Sequence, residues 1–256
     1  MPLATRPSSR REPARGRGQP AKKGSAKGSA PVPAADREPR GARRKRETRT
    51  RLLDAAFRLM AERGLDGVAI NEITEAADVG FGSFYNHFES KEAIYEALIH
   101  AVFEEFGRWL DELVKDVDDP ARAVAFCVRH TILRARREPL WGQFLVREGY
   151  SARVLSHGLG QFLLRDLKKG VTSGRFKAPD LLLTFLAVGG TVLTAIAAEL
   201  QLGPEGSTPA ALIKQLGMKT GDIPERTAAM LMMILGLSQK EAETIARLPL
   251  PGAPKG

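Results

Sequence analysis

The 256-residue sequence lacks the residue patterns that most enzymes and secreted proteins carry. It has one cysteine, so no disulfide can form within the chain, and nothing indicates an oxidising compartment. Its four histidines, His87, His100, His130 and His157, do not have the spacing of metal ligands. There is no serine nucleophile elbow, no phosphate-binding P-loop and no complete dinucleotide-binding fingerprint. We therefore expect no enzyme, no cofactor and no metal.

Excess positive charge is missing from most of the chain, although the net charge is +9. Residues 1–46 contain fourteen Lys and Arg against three acidic residues, a net charge of +11, which leaves −2 for residues 47–256. The same segment is rich in Pro, Gly, Ala and Ser and has almost no large apolar side chain. Such a segment buries too little apolar surface to offset the entropy of ordering. We expect residues 1–46 to form a disordered basic arm, and residues 251–256 a short tail.

After the arm, the pattern predicts an all-α protein. Apolar residues recur at intervals of three and four from Leu53 to Met60, and Gly64 marks the end of this helix. Two short helices are predicted at 70–77 and 81–87, and Ser90 can cap a fourth, long helix from Lys91 to about Lys115. Short helices joined by about three residues have the geometry of a helix-turn-helix, whose second helix enters the DNA major groove.

Four segments of this region carry a recognisable pattern: TRLLDAA at 50–56, AERG at 61–64, ITEAA at 73–77 and GSFYNHFESKE at 82–92. By these residues the sequence resembles the TetR (tetracycline-repressor) family of bacterial transcription regulators, over about a fifth of the chain. The FYNHFESKE run, placed after two helices, is the specific part of the match. The resemblance implies a helix-turn-helix DNA-binding domain at 47–92, and a helical domain at 93–250 that dimerises and binds a small effector.

The candidate DNA-binding residues lie in the arm and around the second helix of the motif. Tyr85 and Ser83 can donate to phosphates, Asn86 suits an adenine edge, and Phe81 offers apolar contact. His87 can donate to phosphate or base, or else only satisfy a neighbouring backbone group. Phe84 and Phe88 are interpreted as core. The full set is Arg43, Arg44, Lys45, Arg46, Asn71, Phe81, Ser83, Tyr85, Asn86, His87 and Lys91.

The region departs from the family pattern in its charge. No Lys or Arg occurs between Gly64 and Ser90, and residues 47–100 hold five basic against ten acidic residues. A DNA-binding unit with a net charge of −5 gains little from counterion release. Asp78 replaces the usual turn glycine, and Ala69 replaces a capping Ser or Thr before the second helix. We infer that the basic arm supplies the electrostatic attraction that the folded unit lacks.

The C-terminal part is predicted to be helical, with breaks at proline and glycine. The expected helices are 119–136, 140–148, 160–171, 179–200, 208–216, 224–237 and 239–247. A ligand pocket is expected among the middle helices, because pockets are mostly apolar with a few polar groups. Its candidate lining residues are Phe126, Cys127, His130, Trp141, Phe144 and Leu145. Each of them is equally compatible with an ordinary core position.

The longest uncharged run, Leu181 to Ala198, is 18 residues long and touches the threshold for a membrane span. It contains two glycines and several threonines and lacks aromatic or basic anchors at its ends, so we expect no membrane partner. A helix buried between the core and a partner subunit fits better. Together with residues 228–235 it resembles the family's dimerisation helices. The candidate interface residues are Leu186, Gly190, Leu193, Met230, Met233 and Ile234.

These observations predict a homodimeric, sequence-specific regulator that binds double-stranded DNA in the bacterial cytoplasm. As the resemblance implies, we expect a repressor that an unknown small-molecule effector releases from a palindromic operator. Two alternatives remain open. One is an activator or a regulator without an effector, and the other is a nucleoid protein that binds DNA without sequence preference through the basic arm.

Deleting residues 1–46 should weaken binding to every DNA sequence and flatten the dependence of affinity on salt. The slope of log K against log salt should fall by about 0.9 for each phosphate that the truncated protein no longer neutralises. The measurement is a salt titration of the full-length and truncated proteins on specific and random duplexes. An unchanged slope in the truncated protein would contradict the role given to the arm.

Overall fold

The structure, a computed structural model, describes residues 39–151, 158–202, 209–215 and 221–252. In these ranges it consists of helices and connecting turns without a strand, so the all-α prediction is confirmed. The helices are α1 (Arg40–Arg63), α2 (Ile70–Ala76), α3 (Phe81–Tyr85), α4 (Lys91–Ile99), α5 (Phe106–Val114), α6 (Pro120–Arg137), α7 (Pro139–Glu148), α8 (Leu159–Thr172), α9 (Leu181–Leu202), α10 (Ala210–Gln215), α11 (Ile223–Ile234) and α12 (Gln239–Ala246).

Helices α1, α2 and α3 form the helix-turn-helix unit. α1 ends because Gly64 adopts a positive φ of 75° and its N–H donates to the Met60 carbonyl at 2.8 Å. The apolar faces meet at Leu52, Ile73 and Phe84, which are fully buried. The three helices thus share one core, and the side chains that point away from it remain available to a partner.

The first helix begins earlier than the sequence predicted. α1 starts at Arg40, so residues 40–46 form two exposed helical turns in place of the disorder expected for the end of the arm. Arg43 pairs with Glu47 one turn later, at 2.9 Å. These turns continue a helix that is already packed against the core, and no nucleation cost arises. Residues 1–38 of the predicted arm lie outside the described residues.

A nearly continuous helical rod leads from the helix-turn-helix unit into the rest of the protein. It begins at α4, where the Ser90 hydroxyl accepts from the Ala93 N–H at 3.2 Å as an N-cap. Between α4 and α5 a π-helical segment, His100–Glu105, interrupts the α-helical hydrogen bonding. The sequence predicted one uninterrupted helix here and missed the π turn.

Helices α5 to α12 form a C-terminal bundle around α6, which packs against α7, α9 and α11. The start of α6 is fixed by Asp119, whose carboxylate accepts from the Ala121 N–H at 3.0 Å, and by Pro120 in the first turn. Ile132, Ile196 and Leu231 are fully buried where these helices meet. The bundle helices start and end close to the predicted positions, because proline and glycine mark their boundaries.

The C-terminal end of α7 contacts the helix-turn-helix unit. Arg147 donates to the backbone carbonyls of Ala61 and Glu62 at 3.3 and 2.7 Å, near the C-terminal end of α1. The neighbouring Glu148 accepts a hydrogen bond from the Tyr95 hydroxyl of α4. α1 and α4 are therefore both attached to a single turn of the bundle.

Two side chains of α6 contact the backbone of the last described residues. Arg129 donates to the Leu248 carbonyl at 2.6 Å and forms an ion pair with Glu225 at 2.9 Å. The His130 ring nitrogen lies 3.0 Å from the Pro251 carbonyl oxygen. The start of the predicted tail at residue 251 is thus in contact with the bundle.

One ion pair joins α6 to α9 inside the bundle. Arg136 contacts both carboxylate oxygens of Glu199, at 2.9 and 2.5 Å, in a bidentate arrangement. The Glu199 side chain is 2% exposed, whereas that of Arg136 is 34% exposed. The hydrogen bond to Glu199 raises the pKa of Arg136 above its ordinary value. The pair sets the spacing of the two helices.

Replacing Arg136 with Met should lower the free energy of unfolding by about 3 kcal/mol, because the buried Glu199 carboxylate loses its cation. Urea unfolding at one fixed protein concentration measures this loss. The double variant Arg136→Met/Glu199→Leu should recover most of it, since neither charge remains. Arg226→Met, which alters an exposed pair, is the control and should change stability by less than about 1 kcal/mol. A single variant as stable as the parent would refute the role of the pair.

Candidate nucleic-acid interface and ligand cavity

The start of α2 is held by a residue that was not predicted from the sequence. The Glu72 carboxylate accepts from the Ala69 N–H at 2.8 Å and from Arg63 at 2.8 Å. These contacts, the backbone hydrogen bond first, lower the pKa of Glu72. Glu72 thus supplies its half of a capping box, although no side chain at Ala69 accepts from the N–H groups of the first turn. A glutamate three residues after the cap position is the signal that would have revealed it.

Asp78 occupies the turn position where a glycine was expected, with a φ of 51°. This left-handed conformation is tolerated by aspartate at moderate cost. The expectation that Asp78 can replace the turn glycine agrees with the structure. The turn therefore sets the direction of α3 without a glycine at this point.

Helix α3 divides its side chains between the core and the surface. Phe84 is fully buried and Phe88 is 5% exposed, as expected for core residues. Phe81 and Tyr85, one turn apart, are 54% and 52% exposed. Asn86 is also exposed, so the outward face of α3 combines two aromatic rings with one amide.

Basic residues of α1 lie beside the C-terminal end of α3. The Arg49 guanidinium stands 4.4 Å from the centre of the Phe88 ring. Burial lowers the pKa of the His87 imidazole, and the positive charges of Lys45 and Arg49 lower it further. The surroundings of His87 therefore favour its neutral form, next to two cations. Lys45 was predicted from the sequence, whereas Arg49 was missed; the helical continuation of α1 places both on the same side.

The structure brings only part of the predicted DNA-binding set together. Ser83 and His87 are partly buried, while Asn71 on α2 is exposed. Lys91 is the first residue of α4 and follows the Ser90 cap. Arg43, Arg44, Lys45 and Arg46 all lie in the exposed turns of α1. Lys45 and Arg49 of α1 lie near His87 and Phe88, just beyond the C-terminal end of α3, and the exposed rings of Phe81 and Tyr85 lie on α3 itself.

A cavity with a volume of about 140 Å³ lies inside the C-terminal bundle. Its wall is mostly apolar and comes from the π-helical segment and from α5 to α9; examples are Phe103, Val128, Leu145, Phe185 and Val188. The polar side is formed by Asp111, Arg165 and Asp166. An apolar chamber with few polar groups is the usual form of a small-molecule site.

The polar side of the cavity is an arginine held between two carboxylates. Arg165 donates to Asp111 at 2.6 Å and to Asp166 at 2.8 and 2.9 Å. Burial raises the pKa of Asp166, and Arg165 acts in the opposite direction. Burial also raises the pKa of the Cys127 thiol to about 12, so this lining residue stays protonated. The cavity thus offers acceptor oxygens but no thiolate.

The predicted pocket is corrected by this geometry. Cys127 and Leu145 line the cavity, whereas Phe126, His130, Trp141 and Phe144 are not among its lining residues. Those four are buried in the surrounding core. The three charged residues of the wall were missed because Asp111 and Arg165 lie far apart in the sequence. In the described ranges, no group of three or more metal-ligating side chains occurs.

An apolar surface lies on α9 and α11, where a subunit contact was predicted. Leu186, Met230, Met233 and Ile234 are between 40% and 55% exposed. Gly190 is partly exposed, whereas Leu193 is 8% exposed and instead lines the cavity. Leu182 and Leu183, 65% and 62% exposed, extend the surface and were not predicted. α9 is also long and apolar enough to span a membrane by length and composition, with 28% of its most apolar window buried.

The helix-turn-helix unit and the cavity-containing helical bundle together define a DNA-binding transcription regulator. A family model described as tetracyclin repressor-like, C-terminal domain, matches residues 119–248, about half of the chain. A second, described as bacterial regulatory proteins, tetR family, matches residues 52–98. The chain belongs to the TetR family of bacterial transcription regulators, and the resemblance noted in the sequence is confirmed.

Several named proteins are similar to this chain. The transcriptional repressor DhaR of Mycobacterium sp. (strain GP1) is 39% identical over 72 residues, which are 28% of this chain and 36% of that protein. The repressor KstR2 of Rhodococcus jostii (strain RHA1) is 35% identical over 147 residues, 57% of this chain and 60% of that protein. The matches to these curated relatives thus span about a third to three fifths of their lengths.

A solved structure gives a longer match. The crystal structure of RolR in complex with the ligand resorcinol is 35% identical, covers 82% of this chain and 98% of that chain, and has a TM-score of 0.57. A TetR family regulator from Shewanella sp. PV-4, with 20% identity over 75% of this chain and 99% of that chain, shares the fold at a TM-score of 0.60.

Proposed function

We propose that this protein is a homodimeric, sequence-specific repressor that a small molecule releases from a palindromic operator. The observation that carries the proposal is the outward face of α3, where Phe81, Tyr85 and Asn86 are exposed beside the basic turns of α1. This is the face that a helix-turn-helix presents to the major groove. The similar proteins DhaR and KstR2 are transcriptional repressors, which supports repression over activation.

The division of charge supports two different tasks on the DNA. α3 has no Lys or Arg, so its contribution is contact with base edges and not counterion release. The cations sit on α1, from Arg40 to Arg49, where they flank α3. Lys91 and the N–H groups at the start of α4 add a further phosphate contact. Affinity for DNA would thus come mainly from the cations of α1 and from Lys91, and sequence selectivity from α3.

The apolar surface of α9 and α11 is proposed to be the subunit interface. Six large side chains at 40% to 65% exposure, Leu182, Leu183, Leu186, Met230, Met233 and Ile234, form one side of two helices that pack together. A palindromic operator requires a twofold symmetric protein, and such an interface is self-complementary. We assign the exposed side of α9 to a second subunit and not to a membrane, and the protein to the cytoplasm, on the chromosome.

The cavity is proposed to hold a small hydroxylated aromatic effector. Its apolar wall suits a ring, and the Asp111 and Asp166 oxygens can accept hydrogen bonds from hydroxyl groups. RolR, which matches most of this chain, is described in complex with resorcinol. The effector would bias the arrangement of the helices that line the cavity and thereby the spacing of the two α3 helices. No catalytic step is assigned to this site.

Two other functions would use the surface of α1 and α3 differently. A regulator without an effector, or an activator, would use the same DNA contacts but would not respond to a cavity ligand. A nonspecific nucleoid protein would depend on the basic arm and the α1 cations alone. The neutral, aromatic face of α3 favours sequence-specific binding, because it contributes little to nonspecific attraction.

Selection from random duplex DNA with the full-length protein should return a palindrome whose half-site centres are about 34–36 Å apart. At one stated salt concentration, the selected site should bind about a thousandfold or more tightly than random duplex. Tyr85→Ala and Asn86→Ala should each abolish this preference and keep nonspecific binding. Gln239→Ala on α12 is the control. Recovery of no site, or a preference that survives both variants, would contradict the proposal.

Resorcinol should raise the melting temperature of the full-length protein and release it from the selected operator, measured by fluorescence anisotropy. 1,3-Dimethoxybenzene, which cannot donate hydrogen bonds to the carboxylates, should do neither. Gly189→Leu should keep operator binding but lose the response, because a side chain there points toward Leu163 on the cavity wall without a clash. No response in the parent protein, or an equal response in Gly189→Leu, would overturn the assignment.

A further inference from the structure

The centre of the α3 surface is an exposed pair of aromatic rings. The ring centres of Phe81 and Tyr85 are 5.7 Å apart, and the rings meet edge to face. The Tyr85 ring also meets the buried Phe84 ring at 5.4 Å, so the outer pair is supported by the core of the unit. The side chains of Phe81 and Tyr85 are each about half exposed, and their rings form an apolar surface on the side of the helix that would face the groove.

Helix α3 itself has no cation to contact guanine. The commonest guanine contact is a bidentate Arg or Lys, and none occurs between Gly64 and Ser90. The hydrogen-bonding groups that α3 exposes at its C-terminal end are the Tyr85 hydroxyl and the Asn86 amide. The group in the major groove that suits a phenyl ring is the C5-methyl of thymine, which the groove exposes at every T·A pair.

Gly82, between the two rings, has no role inside the protein. A Cβ at this position would meet nothing within 4 Å, and its φ is not positive. Glycine within a helix costs about 1 kcal/mol relative to alanine, so the fold itself does not favour it. Its effect is to leave the helix backbone bare at the centre of the surface. A bare backbone allows the groove to approach closely, which brings the Phe81 ring within reach of the base edges.

We propose that Phe81 is a specificity-determining residue that recognises the C5-methyl groups of thymines in the operator. Tyr85 acts as a positioning residue: its ring edge fixes the Phe81 ring while its hydroxyl contacts a phosphate. The inference rests on the proposed function, because it requires a selected operator. It adds the chemical group that the central surface selects, a methyl on a pyrimidine.

The test uses the full-length protein and the operator obtained by selection. Each thymine is replaced in turn by uracil, which removes the methyl and keeps every hydrogen-bonding group. One or two positions per half-site should lose about fourfold in affinity per methyl, the value expected for burial of one such group. 5-Bromouracil at the same positions should restore the affinity, because bromine fills the space of the methyl.

The matched variants assign the effect to one side chain. Phe81→Ala should bind thymine and uracil operators equally at those positions, whereas Gln239→Ala on α12 should keep the difference. Phe81→Leu should keep part of it. Because Phe81 is exposed, its variants should melt at the temperature of the parent, which circular dichroism checks.

The outcomes separate this inference from the proposed function. If no operator is selected, the proposed function fails first. If an operator is selected but uracil has no effect at any position, or the effect persists in Phe81→Ala, the methyl recognition is overturned and the regulator remains. An effect lost in Phe81→Ala and restored by bromouracil in the parent supports the assignment.

Discussion

The contact of Arg147 with the end of α1 joins the helix-turn-helix unit to the C-terminal bundle. The last carbonyls of a helix lack partners within it and carry partial negative charge, so a guanidinium is their natural counterpart. Arg147 meets the Ala61 and Glu62 carbonyls, and Glu148 beside it meets Tyr95 of α4. The same turn of α7 places Leu145 and Gly149 in the cavity wall. One helical turn therefore contacts both the cavity wall and the helix-turn-helix unit.

The basic turns of α1 lie at the end of the helix where positive charge is unfavourable. Residues 40–46 place five cations at a helix N-terminus, where the macrodipole favours anions, and the first turn has no acidic residue. The Arg43–Glu47 pair offsets part of that repulsion within the protein. A row of phosphates would relieve the rest. Under the proposed function, contact of α1 with phosphates would offset this repulsion, and the contribution of these turns to binding would fall as salt is raised.

The parts of this structure that sequence patterns predict are those set by local chemistry. Gly64 and Asp78 follow the ends of α1 and α2 and Ser90 precedes α4, because each supplies a backbone conformation or a cap. The cavity escaped prediction for a different reason. Which side of α6 faces the chamber depends on where α8 and α9 pack, so Cys127 lines it and His130, three residues later, does not. The carboxylate–arginine group is likewise a product of packing, since Asp111 and Arg165 come from different helices.

The π-helical segment accounts for an unusual period in the surrounding sequence. Buried side chains recur every four residues, at Ile94, Leu98, Val102, Phe106, Leu110 and Val114. An α-helix turns about 100° per residue, so each four-residue step overshoots by about 40° and five steps by about 200°. A π turn accommodates one extra residue and takes back about 100°. The line of buried side chains therefore turns by about 100°, and not by about 200°, as the rod passes from the helix-turn-helix core to the bundle. A period of four in the buried residues marks such a segment in the sequence.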